Sequence, residues 1–311
     1  MAFALGLGLL ADVLGIYSFI DSQIPDSNTA GATFRIQAGL DGYKNAHDPQ
    51  GGLTQIKLYN VLGDFIGSGG GINYIGPGDY ADVTVEQDVR NQALTAEFYA
   101  SDNAICIATI TTTLHDDTKY AWVGDWGKIC HAKWYYSGVA VESGKLTRCT
   151  WIDQNHDFNL TAAVIGIYFP AFATQEIPDT DGTELCGQVQ GLRAWNQEGG
   201  SELLWDINHG SEKLRSRVTL PGKQAGDDRL VVSADPNHNA TELCSAGESY
   251  GPDFVSLAER LYCDMGTREL LPLCGSGLTD NCFDLEAARA GVPSGRISAI
   301  ATKPRSEILE W

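Results

Sequence analysis

Basic residues are scarce in this chain. Only 21 lysines and arginines stand against 40 aspartates and glutamates, for a formal charge of −19. A surface this negative repels phosphate backbones and anionic lipid, which argues against nucleic acid as a partner. Charged residues of either sign make up just 20% of the sequence, too few for a coiled coil, while 43% hydrophobic residues exclude a wholly disordered chain. No Cys-x-x-Cys pair occurs and no histidine lies at zinc-finger spacing from two cysteines, so a structural zinc site is not expected. The glycine-rich stretch Gly67–Gly71 lacks the Lys-Ser/Thr that completes a phosphate-binding loop, and reads as a flexible loop. No internal repeat is visible. The 311 residues suit one large or two modest domains at roughly 100–200 residues each, enough to bury a core unaided.

What is present begins with eight cysteines: Cys106, Cys130, Cys149, Cys186, Cys244, Cys263, Cys274 and Cys282. An even number spread over loops suits four disulfides, which persist in oxidising surroundings. Two sequons, at Asn159 and Asn239, agree with a secreted glycoprotein. Eight cysteines permit about 105 pairings, and sequence alone does not choose among them. Proximity predicts that the last four pair with one another, nested as Cys263 with Cys274 and Cys244 with Cys282.

From Phe3 to Ile20 only Asp12 and Ser18 are clearly polar. The stretch fits neither a signal peptide nor a membrane span well, because no lysine or arginine precedes it and no basic cluster follows. Ala4, Gly8, Ala11 and Gly15 recur three or four residues apart, so a helix over residues 1–25 would carry a small-residue face that lets another helix approach closely. Phe3, Leu7, Gly8, Leu10, Ala11, Leu14, Gly15 and Tyr17 are the expected assembly residues, joining copies of the chain into a homo-oligomer or polymer.

Beyond residue 30 the hydrophobic period falls to that of strands. Ala32–Leu40, Gln55–Asn60, Asp82–Gln87, Leu94–Ala100, Ala104–Leu114, Tyr120–Val123, Cys130–Tyr136, Arg148–Ile152 and Thr161–Phe169 alternate and are separated by Gly, Asn and Asp. Within Ala104–Leu114 the alternation sets Ile105, Ile107 and Thr109 against Cys106, Ala108 and Ile110. Short strands at this density predict a mainly β protein, an antiparallel β-sandwich over residues 30–172. The turn-forming Pro178–Gly182 then marks a boundary, followed by a smaller disulfide-linked, β-rich region over 183–311. That region reads as strands at Gln188–Trp195, Ser201–Ile207, Lys213–Leu220 and Arg229–Ser233. Pro252–Tyr262 suits either a short helix or a strand, and Phe283–Ala290 suits a helix.

Several runs carry a resemblance: Ala104–Ala108, Tyr120–Gly127 (YAWVGDWG), Trp134–Ser137 (WYYS), Gly251–Ser256 (GPDFVS), Tyr262–Met265 and Pro272–Cys274. Together they resemble secreted, cysteine-rich fungal proteins of unassigned activity, through scattered motifs across residues 32–285. The resemblance implies an extracellular fungal origin and no catalytic residue.

Candidate chemistry is thin. Gly247-Glu248-Ser249-Tyr250-Gly251 matches the nucleophile elbow of α/β-hydrolases, whose histidine follows the serine, but all six histidines here precede Ser249. The alternating oxygens of Asp153, Asn155 and Asp157 would suit calcium, although the loop lacks the glycine and distal glutamate of an EF-hand. Trp122, Trp126, Trp134 and Tyr136 crowd one window with Asp125. There the rings could stack on sugars and Asp125 could bond hydroxyls, or the same rings could be core. Among 40 acids no glycosidase pair stands out. The sequence therefore points to an extracellular, non-enzymatic structural protein that self-assembles through its N-terminal helix. A cell-wall carbohydrate-binding sandwich with a polysaccharide partner is the alternative, and a glycoside hydrolase is more distant.

Overall fold

The computed structural model describes residues 23–40, 51–141, 146–157, 160–173, 183–198, 222–223, 227–275, 278, 280–291 and 305–311. The expected N-terminal helix, its assembly residues, and the strands expected at 201–207 and 213–220 lie outside the described residues. Two compact units divide the chain, Met1–Arg215 and Ser216–Trp311.

The first unit contains β1 (Gly31–Ala38), β2 (Leu53–Tyr59), β3 (Phe65–Gly69), β4 (Tyr80–Glu86), β5 (Thr95–Ala100), β6 (Ile105–Thr113) and β7 (Lys119–Val123). Helix α1 (Asp125–Ile129) follows, then β8 (Trp134–Ala140), β9 (Leu146–Ile152), β10 (Val164–Tyr168) and β11 (Leu192–Trp195). Six of these strands form one sheet in the order β4-β1-β6-β9-β8, with β7 also paired to β6. Five form a second, in the order β11-β10-β5-β2-β3. Every pairing in both sheets is antiparallel. The inward residues of both sheets, among them Phe34, Ile36, Ile56, Phe98, Ile110 and Ile165, belong to one apolar cluster. Phe34 meets Phe98 edge-on across it, with ring centroids 5.5 Å apart. This is the sandwich expected from alternation, with its boundary moved: β11 pairs with β10, so residues past 183 still belong to the first unit.

Strict alternation fails in β6. Gln37 of β1 pairs with Thr109, but the next residue, Ala38, pairs with Ile107, so Ala108 is an extra residue at a bulge. A bulge reverses which face the following residues take. Ile105 and Ile107 therefore join the same core as Ile110, whereas Cys106 turns away to bond Cys149 on β9. Two other expectations change. Part of the Gly67–Gly71 loop is strand β3, and Cys130 belongs to the turn after α1 rather than to a strand. Helix α1 approaches β9 so closely that a Cβ on Gly127 would fall 1.8 Å from Thr150 Oγ1, which reserves the position for glycine.

The second unit contains β12 (Leu230–Ser233), α2 (Ala240–Ser245), β13 (Asp253–Ser256), β14 (Leu261–Asp264), β15 (Glu269–Pro272), α3 (Leu285–Arg289) and β16 (Ile308–Glu310). Its sheet runs β15-β14-β13-β12-β16. The pairs β12–β13 and β12–β16 are parallel, which departs from the all-antiparallel pattern. The α2 crossover explains the first parallel pair, since parallel neighbours need a connection across the sheet face. Pro252–Tyr262 takes its strand alternative.

All eight cysteines are paired: Cys106–Cys149, Cys130–Cys186, Cys244–Cys263 and Cys274–Cys282. The last four do pair with one another, but sequentially and not nested. Leu261 of β14 lies opposite Pro272 of β15, so Cys274 falls beyond the end of β14 and cannot face Cys263, whose partner in register is Leu270. Among the described residues no helix is long and apolar enough to cross a membrane.

Candidate functional site

The aromatic window does not form a surface. Trp122, Trp134 and Tyr136 are each 1% exposed, and Trp126 only 5%. Trp126 packs edge-on against Phe172, and Trp134 against Tyr136. Asp125, expected to meet sugar hydroxyls, is committed to Arg148: Oδ1 accepts from the guanidinium at 2.8 Å and Oδ2 from the backbone amide at 3.1 Å. Burial of large rings is the stronger driving force here, so this window is core.

The calcium loop is not assembled either. Asp153 is fully buried, while Asn155 and Asp157 are exposed and bonded to each other, Asn155 Nδ2 donating to Asp157 Oδ2 at 3.1 Å. Among the described residues no group of three His, Cys, Asp or Glu side chains could hold a metal ion. Neither buried carboxylate oxygen of Asp153 has a close hydrogen-bond partner among the described residues, and burial, outweighing the pull of the Asp157 and Asn155 amides, pushes its pKa up to about 6. Ser249 is buried, its hydroxyl donating to Leu243 O at 2.7 Å and accepting from Arg268, so the elbow motif is structural. Ser233 Oγ lies 2.8 Å from His238 Nδ1, a nucleophile–base distance, but both residues are sealed in the core. Asn239 is half-buried at the start of α2, and Asn159 lies outside the described residues.

The side chains that do converge toward solvent sit on the outer face of the second sheet. Inward Ile56, Leu58, Ala96, Phe98, Ile165, Ile167, Leu192 and Ala194 join the core. The period of two therefore turns their neighbours outward. Register brings these into two rows: Lys57, Glu97, Gly166 and Arg193 in one, and Gln55, Tyr99, Val164 and Trp195 in the next. Tyr59 and Tyr99 both donate to Glu97 Oε2, at 3.0 and 2.7 Å. Lys57 Nζ lies 4.7 Å from the Tyr99 ring centre and pairs with Glu198 at 2.8 Å, where Gln55 also donates. Gly166 has a clear purpose: a Cβ there would come within 2.9 Å of the Trp195 ring, so its absence lets the indole lie across β10.

Electrostatically the cluster is taut. Burial, reinforced by the Glu97 carboxylate, raises the Tyr59 pKa to about 12 and pushes Tyr99 higher still, keeping both phenols as donors. Arg193 is half-buried, 4.9 Å from the Trp195 ring centre, and burial lowers its pKa even though Glu97 acts to raise it. Among the described residues its buried Nε meets no acceptor. A ring, the Tyr59 phenol, a carboxylate and a half-buried guanidinium thus share one patch, underlain by the buried Tyr99 and Val164. Such a patch can stack on a flat apolar face while exchanging hydrogen bonds with hydroxyl groups.

None of these residues was singled out from the sequence. The signal was in the alternation of Gln55–Tyr59, Thr95–Tyr99, Val164–Tyr168 and Leu192–Trp195, which exposes the outward set once the strands are known to be neighbours. No family model and no curated protein matches the chain.

Proposed function

We propose that this protein is an extracellular, non-catalytic sandwich that binds carbohydrate on the outer face of its second sheet. Four disulfides support an oxidising compartment. The observation that carries the binding reading is the half-buried Trp195 indole laid across β10 over Gly166, with Arg193, Glu97 and Tyr59 beside it on the same outer face. Sugars complement such a face, with C–H surfaces for an indole and hydroxyls for the polar groups beside it. The overall charge of −19 favours uncharged glycans over acidic ones.

Calorimetric titration with cellohexaose, laminarihexaose and chitohexaose tests the reading. At least one should bind, and Trp195→Ala and Tyr59→Phe should each weaken it at least tenfold with the thermal transition retained. Absence of binding to all three, or unchanged binding by both variants, overturns it. Chromatography of the recovered sugar separates a binding face from a hydrolase.

A second reading is self-association through Phe3–Ile20, supported by the apolar, small-residue pattern of that stretch. Thr111 and Thr113 on β6 donate to the carbonyls of Gln23 and Pro25, at 2.7 and 2.6 Å, which straps residues 23–25 onto the outer face of the first sheet. Deleting residues 1–20 leaves that strap intact, so truncated and full-length chains differ only in the apolar stretch. Equal sedimentation of the two rejects self-association.

A further inference from the structure

The strap makes a second feature. Between it and the outward side chains of β1 and β4 lies an open groove of about 390 Å³, lined by Asp26, Asn28, Thr33, Arg35, Asp82 and Thr84 among others. Its floor follows from strand register: Thr33 lies opposite Thr84 and Arg35 opposite Asp82. The two threonine hydroxyls are 2.9 Å apart. Arg35 grips Asp82 with a two-pronged fork, Nε to Oδ1 and Nη2 to Oδ2, both at 2.7 Å, and its guanidinium stacks 4.0 Å from the centre of the Tyr80 ring. The Asp82 hydrogen bond, with the charges of Asp82 and Asp26 behind it, raises the Arg35 pKa.

The chemistry of the groove selects a ligand class. Two carboxylates outnumber one guanidinium, so the groove is net negative and disfavours anions. No large apolar side chain among the lining residues offers a hydrophobic anchor beyond the buried Ile24. What remains is a floor of hydroxyls and planar polar groups: each carboxylate oxygen of Asp82 retains a lone pair outside the fork, and the Arg35 guanidinium is held over the Tyr80 ring. Uncharged polyhydroxylated rings complement such a floor.

We propose that this groove is a second binding site for neutral oligosaccharide. It lies on the outer face of the first sheet, whereas the Tyr59–Glu97–Trp195 patch lies on the outer face of the second, so the sandwich core separates them. The ligand class rests on the carbohydrate reading above; the existence of a second site does not. One chain would then hold two glycan segments on opposite faces and cross-link polysaccharide without oligomerising.

The full chain, titrated with the same three hexasaccharides, should bind two equivalents of a ligand. Thr84→Val, which keeps the shape and removes a hydroxyl, and Asp82→Asn, which keeps the shape and removes a charge, should each remove one equivalent or weaken it at least tenfold with the thermal transition retained. Trp195→Ala should remove the other. Agglutination of polysaccharide particles should be lost in either case. A single equivalent in the wild type that Trp195→Ala abolishes, with both groove variants unchanged, overturns the groove and spares the second-sheet patch. Loss with the groove variants and none with Trp195→Ala does the reverse. No binding by any variant or by the wild type overturns both.

Discussion

The sandwich gathers Phe34, Phe98, Trp122, Trp126, Ile165 and their neighbours into one apolar cluster fed by two sheets, whereas the C-terminal sheet gathers a smaller cluster of Leu230, Val232, Val255, Tyr262, Leu271, Phe283 and Leu285 and buries Val231, Phe254 and Leu309 at the alternate positions of its strands. Beside that smaller cluster the second unit buries charge. Asp253 is 1% exposed, with Oδ1 accepting from Lys223 Nζ at 2.6 Å and from the Met265 amide at 2.9 Å. Its Oδ2 accepts from Tyr262 at 3.0 Å and from Arg305, which also donates to the Tyr262 hydroxyl. One carboxylate thus ties β13 to β14, to the residues before β16 and to Lys223. The ion cluster and two disulfides cross-link this unit in addition to its apolar burial. The second unit's two disulfides span 19 and 8 residues, against 43 and 56 in the sandwich.

If the second unit depends on Asp253 in this way, Asp253→Asn should be among the most damaging single changes in the chain. Removing one member of a buried ion cluster strands the others, at a cost of about 3–5 kcal/mol. Hydrogen exchange would show the loss confined to β12, β13, β14 and β16, with β1 and β6 still protected. Equal loss in both units, or none, would break the comparison. The matching change in the sandwich is Trp126→Ala, which opens a cavity beside Phe172 and costs about 3–5 kcal/mol. Here the exchange pattern should reverse. Sugar binding below the lowered transition should stay at the wild-type level, since Trp126 is core and no part of either outer face.

Disulfide removal ranks next. Replacing Cys244 and Cys263 by alanine should cost the second unit about 3 kcal/mol on the chain-entropy model. The same model assigns the Cys106–Cys149 bridge about 4 kcal/mol because its loop is longer, yet the sandwich should survive that loss better on its larger core. Thermal melts of the two double variants, each monitored by exchange in its own unit, measure the difference. A sandwich that unfolds more completely than the second unit contradicts it.

The sandwich was legible from the sequence because its strands bury one face each, and period-two alternation is the direct record of that. The site was not. Glu97 and Arg193 lie 96 positions apart and meet only because β10 inserts between their strands, with Gly166 as the shared neighbour. Alternation fixes which way a side chain points and says nothing about which strand stands beside it. The Trp122–Tyr136 window failed for the opposite reason, since a run of aromatics has the same spelling whether it faces a sugar or a core. The Ala108 bulge was equally silent, because one extra residue leaves composition untouched while reversing a face.

The smallest expected effect draws the sharpest contrast, between two buried aspartates. Both oxygens of Asp253 are taken by side-chain donors, whereas among the described residues neither oxygen of Asp153 meets a side-chain donor. Burial holds the Asp153 pKa at about 6, above its ordinary 3.8, so the folded protein binds this proton more tightly than the unfolded chain. Its contribution to stability is therefore complete below about pH 4 and is lost as the pH rises through about 6. The gap between those two values corresponds to about 3 kcal/mol at full ionisation, and solvent reaching the neighbouring exposed residues should reduce it to about 1–2 kcal/mol. Asp153→Asn, which cannot ionise, should match the wild type at pH 4 and exceed it by that margin at pH 8. Urea midpoints at the two pH values decide it. If the variant is destabilised at pH 8, the Asp153 carboxylate is held by a favourable partner, such as a bound cation, and the contrast with Asp253 disappears.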